Sequence, residues 1–208
     1  MIERLAYLIK THLPGVFPVA AYFGRLVTAF RFSRQRTAAL SRAVVQGEVT
    51  GQRAVMRPLA TEDHDALQRF FANMPELHLA YFQPHGFGPA DLLIVIRSRM
   101  FMTYGLFIED SLSAYARLKL APTGSAFIGL LVRPEHTGKG MGRFIVEYLY
   151  WQASLAGLRT RSTISRHNVA SLRSHEAVAD FKVIAELPND YLMIEFPRVR
   201  RETPVLRL

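Results

Sequence analysis

The segment Val132-Arg-Pro-Glu-His-Thr-Gly-Lys-Gly-Met-Gly-Arg-Phe-Ile145 decides how the rest of the chain is read. An apolar run, Ala126-Phe-Ile-Gly-Leu-Leu-Val132, leads into it. From Met141 onward, Phe144, Ile145, Tyr148, Leu149 and Leu155 fall on one helical face, and Gly157 ends the helix. Between strand and helix stand Gly138, Gly140 and Gly142 at alternate positions. Glycines there let the backbone approach a ligand closely, and a helix N-terminus offers unpaired N–H groups to an anion. Lys139 and Arg143 add positive charge at the same end. Two nucleotide loops do not fit. A Walker A loop needs Ser or Thr after its Gly-Lys, but Gly140 follows Lys139. A dinucleotide loop needs glycine where Arg143 stands and an acid about 20 residues on, where Ser162 lies among Arg159, Arg161 and Arg166. A phosphate cradle at the helix N-terminus remains, beside a tight turn that holds nothing.

Upstream, Phe101–Ile108, Leu112–Ala121 and Ser125–Val132 read as strands joined by the short turns Glu109-Asp-Ser111 and Pro122-Thr-Gly124. Such short connections imply antiparallel neighbours. Arg53–Pro58 reads as a strand and Thr61-Glu-Asp-His64 as a helix start with Thr61 as cap. Ala66, Leu67, Phe70 and Phe71 continue that helix, Tyr81–Gly88 is a loop, and Pro89–Arg99 is helical again. Downstream, Leu158–Ser165 reads as a strand, Asn168–Ala179 as a helix, and Phe181–Leu187 with Tyr191–Phe196 as a hairpin. The fold class expected is α/β (α+β): a mixed, mostly antiparallel sheet of about seven strands flanked by helices.

The 208 residues, half of them hydrophobic, suit one core-forming domain with an appendage. The absence of cysteine excludes disulfides and thiolate metal sites. Of the net charge of +9, residues 1–45 carry +6, seven basic side chains against Glu3. Ile2–Leu13 and Val19–Val45 read as helical pieces split by Pro14 and Pro18, and the polar stretch Gln46–Arg53 marks a boundary. Residues 1–50 are therefore expected to form a basic helical extension, and residues 51–208 the main domain. Aromatic residues beside Lys and Arg in the extension suggest peripheral contact with a membrane surface. The uncharged stretch Thr11–Gly24 is 14 residues with two prolines, too short to span a bilayer, and the start lacks the pattern of a secretory signal. No nucleic-acid reader motif accompanies the charge.

The glycine segment resembles the acyl-CoA pyrophosphate loop of the GNAT acyltransferase superfamily. A second match is Asn168-Val-Ala-Ser-Leu-Arg-Ser-His-Glu176, similar to the superfamily's Asn-x-x-Ser-x-x-Leu-Tyr/His-Glu helix. Histidine in the tyrosine position resembles the phosphinothricin-type branch. The element order agrees over residues 53–197. Two departures stand out: Thr137 replaces the usual Arg or Gln, and Ala179-Asp-Phe181 replaces Gly-Phe.

The resemblance implies that acetyl-CoA, the cosubstrate, lies between Ser125–Val132 and Leu158–Ser165. Its pyrophosphate would meet Thr137, Gly138, Lys139, Gly140, Met141, Gly142 and Arg143. Its pantetheine arm would pair with backbone at Leu131, Val132 and Arg133, where an N–H could also stabilise an oxyanion. Asn168 would orient the pantetheine amides or cap its helix, with Ser171 nearby. His175 would protonate the leaving thiolate as general acid. Tyr81, His85 and Glu109 are candidate acceptor contacts, with His85, Glu109, Asp110 and Glu195 as candidate bases. No metal is implied. The activity implied is acetyl transfer by direct attack to an amine or hydroxyl of a small molecule, a sugar or envelope precursor among them. The alternatives are a CoA-binding module without catalysis and a membrane-surface adaptor. A cytoplasmic protein, peripheral to the inner membrane face and able to form a homodimer, completes the expectation.

Overall fold

The computed structural model describes residues 27–28, 30–82, 84–200 and 202–208. Expectations for residues 1–26, including the first helical piece and most of the membrane-contact surface, lie outside the described residues. A helix, α1 (Ser33–Leu40), precedes the hairpin β1 (Val45–Val49) and β2 (Gln52–Pro58). Then come α2 (His64–Ala72), the single turn α3 (Glu76–Leu79) and α4 (Pro89–Arg97). The meander β3 (Phe101–Ile108), β4 (Ser111–Ala121) and β5 (Ser125–Val132) leads into α5 (Met141–Leu155). The chain continues through β6 (Arg159–Ser165), α6 (Val169–Glu176), β7 (Lys182–Leu187), β8 (Tyr191–Glu195) and β9 (Leu206–Arg207).

The nine strands of the described residues form one sheet in the order β7-β8-β6-β5-β4-β3-β2-β1-β9. Only β5/β6 and β1/β9 are parallel. The short turns dictate the antiparallel pairs, and α5 supplies the crossover that a parallel pair needs. Two strands exceed the expected seven. The polar boundary around residue 50 is the tight turn of a hairpin, with Thr50 at φ 50° and Gly51 at φ 78°. The segment read as ending a helix at Val45 thus starts β1 there, because Val45 and Val49 bury their side chains while pairing with β2.

The sheet separates two apolar layers. On one face α5 buries Phe144, Ile145, Tyr148, Leu149 and the single tryptophan, Trp151, against Met102, Tyr104, Leu106 and Leu118. Each of these large side chains contributes about 1.5–3 kcal/mol on burial. The Tyr148 hydroxyl donates to the Ala43 carbonyl, and Phe32 and Ala39 join the same layer, so the chain before β1 is docked on the domain. On the other face α2 and α4 place Leu67, Phe70, Phe71, Leu92 and Val95 over Phe107, Tyr115 and Leu131. Thr61 is not a cap. Thr61–Asp63 forms a single tight turn, and Asp63 accepts from the Ala60 N–H at 2.8 Å while pairing with Arg57 at 2.7 Å. The carboxylate outcompetes the hydroxyl because it satisfies a backbone donor and a guanidinium together.

Candidate functional site

β5 and β6 are paired only over Ser125–Ile128 and Arg159–Ser162. Beyond these positions the strands part, and a cleft of about 650 Å³ opens between them. Its walls come from both faces of the sheet. Asn168, Ser171 and His175 of α6 line it from the α5 side. Tyr81, Phe82 and Leu131 line it from the α2/α4 side.

Alternation along β5 sets which backbone groups face the gap. The Arg133 N–H donates to the Ser113 carbonyl of β4 at 3.0 Å. The Arg159 N–H of β6 donates to the carbonyl of Gly124 at 3.0 Å. Strand geometry then turns the N–H and C=O of Leu131 and Arg133 toward β4, and those of Leu130 and Val132 toward the cleft. Of the three residues expected to present backbone, Val132 alone has this orientation. Leu131 supplies a buried side chain instead, and the Arg133 guanidinium donates to the Leu112 carbonyl at 2.8 Å.

The glycine segment closes the end of β5 and opens α5. Gly138 and Gly140 adopt φ of 80° and 81°, a region that side chains disfavour. Gly140 is the N-cap, and the first helical bond runs from the Phe144 N–H to its carbonyl at 3.1 Å. The N–H groups of Met141, Gly142 and Arg143 therefore have no acceptor within the helix. Thr137, Gly138, Lys139, Gly140 and Arg143 are exposed, whereas the Met141 side chain is buried in the core. Gly142 has a packing reason: a Cβ there would lie 2.8 Å from Ser174 Oγ on α6.

Asn168 caps α6, its Oδ1 accepting from the Ser171 N–H at 3.1 Å, and it also lines the cleft. His175 is 1 % exposed and stacks on Phe196. Its Nδ1–H donates to the Ser171 carbonyl at 2.8 Å, which leaves the lone pair on Nε2. That nitrogen is buried without a hydrogen-bond partner. Burial lowers the pKa to about 4, against the opposing pull of the Ser171 carbonyl. The charged general acid expected at this position is therefore a neutral imidazole near pH 7, an acceptor at Nε2.

The other candidates scatter. Tyr81 lines the cleft and is half exposed. His85 stands behind the cleft wall in a box of Phe71, Phe87 and Tyr115, with Nδ1 at 2.7 Å from the Gly86 carbonyl and Nε2 at 3.2 Å from the Tyr115 hydroxyl. Burial lowers its pKa. Glu109 and Asp110 sit at the β3–β4 turn beside other depressions, where Glu109 accepts from the Arg53 N–H at 3.0 Å. Glu195 is held by Arg161 at 2.7 Å. None of these carboxylates lines the cleft, and among the described residues no Asp or Glu does. Arg117, Lys119 and Gly129 do line it, and the sequence reading passed over them. The signal was there: a basic pair alternating along the otherwise apolar strand Leu112–Ala121.

Among the described residues no group of three or more His, Asp or Glu could hold a metal ion. Among them, too, no helix is long and apolar enough to cross a membrane.

Residues 65–181, more than half of the chain, match the acetyltransferase (GNAT) family, and the chain belongs to that family. No curated protein matches it in sequence. Solved structures share its fold at low identity. The GNAT domain of S. lividans PAT superposes with a TM-score of 0.66 at 16 % identity, over 75 % of this chain and 97 % of that domain. The PaiA N-acetyltransferase of Thermoplasma acidophilum, solved with coenzyme A, gives 0.58 at 19 % identity, over 69 % and 98 %. The spermidine N-acetyltransferase of Vibrio cholerae, solved with CoA and spermine, gives 0.55 at 16 % identity, over 68 % and 92 %.

Proposed function

We propose that this protein moves the acetyl group of acetyl-CoA directly onto an amine or hydroxyl of a small molecule, both bound in the one cleft. The observation that carries this reading is the parting of β5 and β6 after Ile128 and Ser162, next to an α5 N-terminus whose N–H groups are free. The CoA-containing structures of the same fold support it. The residues present fit the cosubstrate. Residues 138–143 offer oriented amides, Lys139 and Arg143 to a pyrophosphate. Leu130 and Val132 offer strand edges to an extended arm, and Asn168 adds a side-chain amide.

Acetyl-CoA supplies an activated carbonyl and a thiolate leaving group. The protein's share is to orient the nucleophile, to place a backbone N–H of β5 near the carbonyl oxygen, and to handle one proton. Nε2 of His175 accepts the proton shed by the attacking nitrogen and returns it to the sulfur, so the imidazole ends as it began. Histidine where the superfamily commonly has tyrosine favours the phosphinothricin-type branch.

A second reading, a CoA-binding module without turnover, is favoured by the lack of a carboxylate base in the cleft wall among the described residues. Calorimetry with CoA, followed by thiol release from acetyl-CoA with a panel of amines and amino sugars, separates the two. CoA binding with acceptor-dependent thiol release is expected. Binding without release points to the second reading, and no binding of CoA sinks both.

A further inference from the structure

The cleft holds a buried charge that the reaction scheme above leaves unused. Arg117 projects from β4 on the α2/α4 side of the sheet, directly across from Gly129 of β5. It is 7 % exposed and lines the cleft. Its Nε and Nη1 are buried without a hydrogen-bond partner. The ring of Phe101 lies 5.1 Å from its guanidinium carbon. The other strongly buried arginine of the described sheet, Arg161, has a carboxylate, Glu195. Burial lowers the Arg117 pKa, yet an arginine stays charged in a protein. A desolvated cation without an anion is unfavourable, and natural interiors pair such groups.

The surroundings point to where the missing anion comes from. Gly129 has no side chain to cover the guanidinium. A Cβ there would sit 3.0 Å from Arg117 Nε and 3.4 Å from the Phe82 ring. The gap therefore leads from the cleft to the arginine. Among the described residues no Asp or Glu lines the cleft, so the wall offers Arg117 no anion. Such a wall repels polycationic acceptors and attracts an acceptor that carries negative charge.

We propose that Arg117 anchors a carboxylate of the acceptor, so that the substrate is an amine that also bears an acid group, an amino acid or a close relative of one. This rests on the acetyltransferase reading above. Planar guanidinium suits a carboxylate through paired N–H donors, and the aromatic wall of Phe82 and Phe101 keeps water from competing. Gly129 is left bare so that the carboxylate can reach the pair.

The test uses the full chain and a panel of amino acids, each matched with its C-terminal amide, with spermidine as a polycation. Thiol release from acetyl-CoA and direct calorimetric binding of the same compounds are both read. Free acids are expected to be preferred over their amides by about tenfold to a hundredfold, with spermidine inactive. In Arg117→Met the KM for the preferred acid rises by a similar factor while CoA affinity stays within about twofold. The free Arg117→Met protein is also expected to melt about 2–5 °C higher, since an unpaired buried charge has been removed; a purely structural arginine would give the opposite sign. Gly129→Ala is a second variant, expected to weaken acid binding by crowding Nε with the charge retained. Equal use of acids and amides, no binding of any carboxylate, or an acid preference that survives Arg117→Met overturns the proposal. Acid binding that depends on Arg117 in a protein that does not bind CoA leaves the anion site standing and sinks the acetyltransferase reading instead.

Discussion

His175 shows how far one side chain's chemistry depends on what covers it. The motif Asn168–Glu176 was enough to place a histidine on the cleft side of α6. It could not show that Phe196, at the end of β8, stacks on the ring and holds it dry. The result is a neutral imidazole near pH 7 where a proton-carrying one was expected. The consequence for stability follows from linkage. The folded pKa, about 4, lies below the ordinary value of 6.5, so the unfolded chain binds the proton first. Stability from this residue is present above pH 6.5 and is lost as pH falls toward 4. Between pH 7.5 and 5 the loss amounts to about 2 kcal/mol. Urea titrations followed by Trp151 fluorescence should therefore show wild type losing about that much more than His175→Gln over this range. Parallel pH profiles for the two proteins would mean that the ring is hydrated and titrates normally. Burial lowers the pKa of His85 and His136 as well, and their share remains in both proteins.

At the scale of elements, the strand, loop and helix around the glycines were legible because local periodicity and local turn chemistry agree. The helix read as Met141–Ala156 runs over Met141–Leu155, and the strand Ser125–Val132 has the bounds expected. β1 was missed because Gln46–Arg53 is too polar to read as the hairpin it forms with β2, and because its other partner, β9, is distant in sequence. Gly47 lies so near the Leu206 carbonyl of β9 that a Cβ would meet it at 1.8 Å, and nothing near residue 47 announces residue 206. The three glycines likewise separate into two kinds that spacing alone cannot distinguish. Gly138 and Gly140 serve backbone conformation, while Gly142 serves the contact between α5 and α6. The latter is testable as a double-mutant cycle. Gly142→Ala is expected to destabilise by up to about 1 kcal/mol: the new methyl meets Ser174 Oγ at 2.8 Å and would turn it away from the Ala170 carbonyl, while alanine's better helix propensity offsets part of the cost. Adding Ser174→Ala should return much of that loss, since the remaining Cβ lies 3.6 Å away. Additive losses would show that the strain arises within α5 and not between the helices.

Across the whole molecule, the layers and nearly all of the strand order follow from alternating apolar patterns and short turns, whereas the interior of the cleft does not. Arg117 and Gly129 face each other only because β4 and β5 pair in one register, and their meaning appears only when the missing carboxylate is sought in space. Glu109, by contrast, looked available in the sequence and is carried by the β3–β4 turn to a different part of the surface. One feature of the sheet also bears on how the protein breathes. The six strands from β9 to β5 and the three of β6, β8 and β7 are joined by a seam only four residue pairs long. Short seams open before long ones, and local opening exposes amides in contiguous groups. In hydrogen exchange, β6, β8 and β7 should exchange as a group ahead of β3, β4 and β5, by an order of magnitude or more in rate. CoA bound across the seam, as proposed, should slow the faster group preferentially. Uniform protection of both groups, with or without CoA, would contradict this. A cleft made by withholding hydrogen bonds from a sheet would thus serve a second purpose under the proposed function: a ligand lying across it would supply the missing rungs of the ladder and act as a stitch that turns two exchanging leaves into one.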